Sequence, residues 1–145
     1  MNVKNEFTMN VDAKSVNEGF CRTAVSAFVT PLDPTIEELS DLKTAVSEAV
    51  TNSIVHGYRE KCGKIYISVQ ILESNTVRIT VKDRGVGIAD VKQAMQPLFS
   101  TGEGDRAGLG FTVMQSFCDR VSVKSTPEKG TSVILTKRIH GKSKW

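Results

Sequence analysis

Within the segment SEAVTNSIVHG, Glu48, Asn52 and His56 recur every fourth residue. On a helix that interval stacks a carboxylate, an amide and an imidazole along one stripe. Two glycine-rich segments further on carry polar chemistry of their own. In DRGVGI, Asp83 ends an alternating run, and Gly85 and Gly87 let the backbone turn and approach a ligand closely. A carboxylate at a strand end can accept a hydrogen bond from the exocyclic amine of adenine. In GEGDRAGLGF the glycines cluster just before a helical pattern, where free backbone N–H groups and the helix dipole suit phosphate. Each segment alone also has a plainer reading: the solvent side of an amphipathic helix, a solvated turn, a surface loop. No GxxxxGK[ST] run is present, and the GLG follows a loop rather than a strand, so neither a P-loop nor a dinucleotide fingerprint fits.

The elements that hold these residues follow from the hydrophobic period. FTMNV alternates and predicts a short first strand. SVNEGFCRTAVSAFV predicts a helix with Ser15 and Glu18 spaced as a capping box, and with Phe20, Ala24, Ala27 and Phe28 on one face. After LDPT, Thr35 and Glu38 offer a second capping box for a long helix from about Ile36 to His56, ended by Gly57 as a C′ residue. With Glu48 at zero on a helical wheel, Asn52 lies roughly 40° away and His56 roughly 80°. Ile36, Leu39, Leu42, Val46, Val50 and Ile54 gather on the other side, between roughly 120° and 240°.

KIYISVQIL and TVRITVKD then predict an antiparallel hairpin, and a short helix near Asp90–Met95 follows. A further helix is expected from about Leu109 to Cys118, and RVSVKST and TSVILTKR close the chain as a second hairpin turned by PEKG. Strands grouped in hairpins with helices between them give an α+β two-layer sandwich with a mostly antiparallel sheet. A doubly wound sheet would alternate single strands with helices.

Composition excludes several classes. At 145 residues, 39% hydrophobic and 24% charged, the chain is sized for one domain, 1–145. Its apolar runs fall short of the ~20 residues of a membrane span, and its N-terminus lacks a signal-peptide core, so the cytoplasm is the expected location. Cys21, Cys62 and Cys118 are isolated, which argues against disulfides or a structural zinc site. A net charge of +3 is too small to suggest nucleic acid, and the C-terminal KRIHGKSK reads as a solvated tail.

Taken in this order, ExxxNxxxH on a helix, DxGxG after a strand and GxG at a later helix resemble the GHKL nucleotide-binding family. Gyrase, Hsp90, histidine kinases and MutL belong to that family. The likeness runs from Ile36 to the last strand. It implies the Bergerat fold, with ATP held between helices and sheet beneath a lid.

The transducer domain of the gyrase-, Hsp90- and MutL-like members and the dimerisation helices of sensor kinases have no counterpart here. What remains is similar to the small bacterial anti-sigma factor kinases. The sporulation branch is the nearer, on the segments NEGFCRTAVSAFVTPLDPTIEELSDLKTAVSEAVTNSIVHGY and QPLFSTGEGDRAGLGFTVMQSF. That resemblance implies a homodimer with two protein partners. One is a sigma factor of the sigma-F type, which is inhibited; the other is an anti-anti-sigma factor, phosphorylated on serine. The stress-response branch and a nucleotide-switched binding module without turnover are the alternatives.

Residue roles follow from the resemblance position by position. Asn52 matches the asparagine that coordinates Mg²⁺, and Glu48 matches the general base. Such a base works mainly by orienting the hydroxyl and taking its proton late in a loose transition state. Asp83 matches the adenine reader, with Gly85 and Gly87 shaping that pocket. Gly108 and Gly110 are expected to bring backbone amides to the phosphates. Thr101 and Arg106 fall in the lid, where STGEGDRA is short and lacks the Lys-Pro-Glu of close relatives. Arg22 matches an arginine that touches both protein partners, though by itself it is an exposed charge. His56 is expected to be structural.

Overall fold

The computed structural model describes residues 2–95 and 106–142. β1 (Val3–Asp12) leads through a 3₁₀ turn at Ser15–Asn17 into α1 (Glu18–Val29), and α2 follows (Ile36–Asn52). β2 (Lys64–Leu72) and β3 (Thr76–Asp83) come next, then the short α3 (Val91–Ala94) and α4 (Arg106–Phe117). β4 (Arg120–Thr126) and β5 (Gly130–Arg138) end the order. All adjacent strands pair antiparallel in the sheet order β1-β2-β3-β5-β4. The expected α+β two-layer sandwich is what forms.

Strand alternation decides which side the helices cover. Ile65, Ile67 and Val69 on β2, Val77, Ile79 and Val81 on β3, and Val133 and Leu135 on β5 are all buried on that side. Leu42, Ala45, Val46, Ala49 and Val50 of α2 complete the core, spaced so that one stripe of the helix meets the sheet layer. Phe111 and Met114 of α4 add to it. Lys137 fixes the far end of α4: its ammonium donates to the Phe117 carbonyl at 2.9 Å and lies 3.7 Å from Asp41 on α2. Among the described residues, no helix is long and apolar enough to cross a membrane.

The Thr35–Glu38 capping box forms in full, with reciprocal bonds of 3.0 Å. Glu38 does more than cap. Its carboxylate also accepts the N–H groups of His140 (2.7 Å) and Gly141 (3.0 Å), pinning the chain after β5 to the start of α2. Burial alone would raise the Glu38 pKa, but the bonds from Thr35, His140 and Gly141 outweigh it and hold it below the usual value. A carboxylate with a lowered folded pKa stabilises the fold above its unfolded pKa, and that contribution is lost as pH falls through the folded one. Glu38→Ala is therefore expected to cost about 0.5–2 kcal/mol at neutral pH. Urea unfolding at neutral and acid pH checks this, because the gap between variant and parent should close in acid.

Several local expectations need correction. The Ser15–Glu18 box is absent: Ser15 starts the 3₁₀ turn, and Glu18 instead pairs with Arg22 one turn on, at 2.8 Å. α1 is rotated from the expected face, burying Cys21, Val25, Ser26 and Val29 while Phe20 stays 58% exposed. The smaller side chains let α1 lie close to α2, and Phe28 reaches Phe7 of β1 with ring centroids 4.6 Å apart. Ile36, at the first turn of α2, is exposed. The cysteines are free as expected, and burial pushes the thiols of Cys21 and Cys118 up to about 11.

Candidate functional site

The polar stripe of α2 is not a solvent face. Glu48, Asn52 and His56 are half-buried, because α4 packs across α2 on that side. α4 begins at Arg106, ahead of the expected Leu109, so Gly108 and Gly110 lie inside the helix. Gly108 falls in the first turn, where N–H groups remain available to a ligand. Helix geometry commits the Gly110 N–H to the ladder, so what Gly110 contributes is space. A methyl group on its Cα would sit 3.4 Å from Glu48 Oε2 and 3.7 Å from Asn52 Oδ1. One carboxylate oxygen and one amide oxygen thus converge beside the bare backbone of α4.

The second part of the site begins where α2 changes pitch. Ser53–Gly57 form a π-turn, a departure from the uninterrupted helix expected to His56. Single π-turns inside helices recur at functional sites. Here the wider turn carries Gly57 against Asp83, whose Oδ2 would lie 2.8 Å from a Gly57 Cβ. Gly57 is therefore required for room, and the left-handed residues expected of a helix end are Arg59 and Glu60 instead.

Asp83 itself is only 3% exposed. Its Oδ1 accepts the Gly85 N–H at 2.9 Å, and the Ser53 hydroxyl and the Thr131 backbone also bond the carboxylate. Burial pushes its pKa up, and those hydrogen bonds offset only part of the effect.

The loop after Asp83 is clamped along its length. Arg84 N–H donates to Tyr58 Oη (2.8 Å), Val86 N–H to the Gly57 carbonyl (2.9 Å) and Ile88 N–H to Ser125 Oγ (2.7 Å). The Val86 carbonyl accepts Glu128 N–H at 2.6 Å from the β4–β5 turn. These contacts explain both glycines. A Cβ at Gly85 would lie 2.0 Å from the Gly57 carbonyl oxygen; Gly87, at φ 76°, would place one 2.2 Å from that of Thr126. The close approach that requires both glycines here is to the protein's own backbone. Gly85→Ala is expected to lower stability by about 1–3 kcal/mol, read as a fall in the urea midpoint. An unchanged midpoint would mean that the loop can move away from the π-turn at little cost.

Of the other expected site residues, Arg22 lies on α1 in its pair with Glu18. Arg106 opens α4, but its side chain lies outside the described residues, as does the whole of Thr101. Sequence reasoning passed over Ser53, Tyr58, Ser125 and Thr131, which hold Asp83 and its loop in place. Only Ser53 carried a signal, as the polar neighbour of Asn52. Among the described residues, no three His, Cys, Asp or Glu side chains converge as a metal cage. A cation at Asn52 would take its remaining ligands from phosphate and water, as magnesium commonly does.

A five-stranded sheet layered with helices, a carboxylate–amide pair on one helix and a buried strand-end aspartate define an ATP-binding domain of the histidine kinase type. The profile of the histidine kinase-like ATPase domain matches residues 11–137, and the chain belongs to that family. Curated relatives at 50–56% identity are more particular: they are named anti-sigma F factor. The Bacillus subtilis (strain 168) protein is 52% identical over 139 residues, covering 94% of each chain. That of Caldanaerobacter subterraneus subsp. tengcongensis is 56% identical over 140 residues, covering 96% of this chain and 97% of its own.

Solved structures agree on the fold. The RsbU and RsbW domains of a Mycobacterium tuberculosis protein superpose with a TM-score of 0.67 at 18% identity, over 94% of this chain and 33% of theirs. A blue-light activated histidine kinase of Erythrobacter litoralis gives 0.58 at 18%, over 81% and 40%.

Proposed function

We propose that this chain is an anti-sigma factor of the sporulation type, a single ATP-binding kinase domain over 1–145 that works in the cytoplasm as a homodimer. It binds and inhibits a sigma factor of the sigma-F type and, with ATP and Mg²⁺, phosphorylates a serine of an anti-anti-sigma factor. The observation that carries the enzymatic half is the convergence of Glu48 Oε2 and Asn52 Oδ1 beside Gly110. The names of relatives sharing more than half of its residues support the regulatory half.

In this reading Asp83 accepts the exocyclic amine of adenine in the pocket that Gly85 and Gly87 shape. Asn52 supplies an oxygen to Mg²⁺, which when bound neutralises charge on the phosphate oxygens. Gly108 offers a backbone N–H to phosphate, Gly110 leaves the room, and Thr101 belongs to the nucleotide-binding set. Glu48, one turn from Asn52, would orient the incoming serine hydroxyl and take its proton as the serine oxygen bonds to the γ-phosphorus and the bond from that phosphorus to the bridging oxygen breaks, with ADP leaving. Arg22 and Arg106 meet the protein partners.

The test is incubation with γ-labelled ATP and an anti-anti-sigma protein of the same organism. Labelled serine on that partner is the expected result. Tight MgATP binding without any label would leave a nucleotide-controlled binder and remove the kinase reading.

A further inference from the structure

We propose that the open face of the sheet, turned away from the helices, docks an acidic segment of a protein partner. The outward positions of β3, β5 and β4 carry Arg78, Lys82, Arg138, Arg120 and Lys124 and no carboxylate. Among the described residues, none of these cations stands in an ion pair. The outward carboxylates of the sheet lie at its other edge, on β1, where Asp12 pairs with Lys64 at 2.8 Å and Glu6 accepts from Gln70 at 3.0 Å. One half of the face is therefore an uncompensated positive surface.

The surface is also shaped. A depression of about 640 Å³ opens between the strands, lined by Arg78, Arg120 and Lys124 together with Ser68, Ser122 and Thr136. Cations interleaved with hydroxyls suit carboxylates, which can take a charge-assisted bond and a neutral one at once. Arg78 is held ready, since Gln70 Oε1 accepts from both its Nε (2.8 Å) and its Nη2 (2.6 Å). A guanidinium already ordered loses little freedom when a ligand arrives.

The same features disfavour nucleic acid. The one aromatic ring at an outward strand position, Tyr66, already carries the Arg84 guanidinium 4.9 Å from its centroid, so bases find no stacking platform. The face lies across the sheet from Glu48 and Asn52, so this proposal and the kinase reading fail independently.

The experiment uses the full chain with a fluorescein-labelled oligoglutamate, followed by anisotropy and by amide chemical-shift mapping. Binding is expected to weaken steeply with salt, with shifts concentrated on β3, β4 and β5. Arg120→Ser combined with Lys124→Ser, both at exposed positions, should lower the affinity by about tenfold. Neutralising the exposed Lys43 and Lys61 should not, and MgATP affinity should be unchanged in both variants. Equal loss from the two pairs, shifts centred elsewhere, or tighter binding of an equally long oligothymidylate to this face would overturn the proposal.

Discussion

Replacement of Glu48 by alanine is expected to slow phosphate transfer to the partner serine by roughly 10²–10⁴-fold, the usual effect of removing a positioned base. Nucleotide affinity should stay near that of the parent, because Glu48 is assigned to the serine and not to ATP. Asn52→Ala should behave differently, losing MgATP affinity as well as rate, since its oxygen is placed on the metal and phosphate side. The separation of these two outcomes is the informative part. Both oxygens face the space beside Gly110, 3.4 and 3.7 Å from where a Cβ on that glycine would lie, and α4 keeps the stripe half-buried. Single-turnover transfer and equilibrium titration with MgATP, run side by side, read the two quantities. A Glu48→Ala protein that transfers phosphate at the parent rate would remove the base assignment and leave Glu48 a structural residue.

The positions that sequence reasoning read well are those whose physics is local. Thr35 and Glu38 lie three apart at the head of an amphipathic run, and their mutual bonds need nothing from the rest of the chain. Ile65, Ile67 and Val69 alternate because one face of β2 is buried, and the hairpin to β3 follows at once. The misreadings come from places where distant segments decide. α1 has apolar residues around much of its circumference, and only its contact with α2 selects Cys21, Val25 and Val29 over Phe20. A wheel drawn at a constant 100° per residue cannot anticipate the π-turn at Ser53–Gly57, which exists where Asp83 arrives from β3.

The glycines of DRGVG were recognisable as necessary, but the reason for them was not. What crowds Gly85 and Gly87 comes from the Gly57 and Thr126 carbonyls, far away in the chain. The polar stripe could be seen in the sequence, yet its solvent reading and its site reading differ only by whether another helix covers it. α4 settles that question, and α4 is placed by Phe111, Met114 and the Lys137 bond to Phe117, none of which adjoins the stripe in sequence.

Asp83→Asn is expected to separate folding from recognition most sharply. The carboxylate is almost wholly buried and burial raises its pKa, so the charged form is a burden on the fold at neutral pH. The sign is opposite to that of Glu38. An acid with a raised folded pKa binds its proton more tightly in the folded state, so its penalty is full above that pKa and fades as pH falls through it. Asparagine removes the charge, and its Oδ1 can still accept the Gly85 N–H. Its Nδ2, however, cannot accept as the second carboxylate oxygen can, and Ser53 and the Thr131 backbone also bond the carboxylate. The two effects oppose each other, so thermal stability at neutral pH should change little. Nucleotide binding should move the other way. An accepting carboxylate becomes a donating amide facing another amine, and loss of a hydrogen bond to a charged group costs about 1.5–3 kcal/mol, roughly 10- to 150-fold in affinity. The amide is instead suited to a 6-oxo purine, so the preference for ATP over ITP should shrink or invert. Titration of parent and variant with both nucleotides, beside thermal melts, measures every part of this. An Asp83→Asn protein that melts like the parent and still prefers ATP to the same degree would show that the base is read elsewhere.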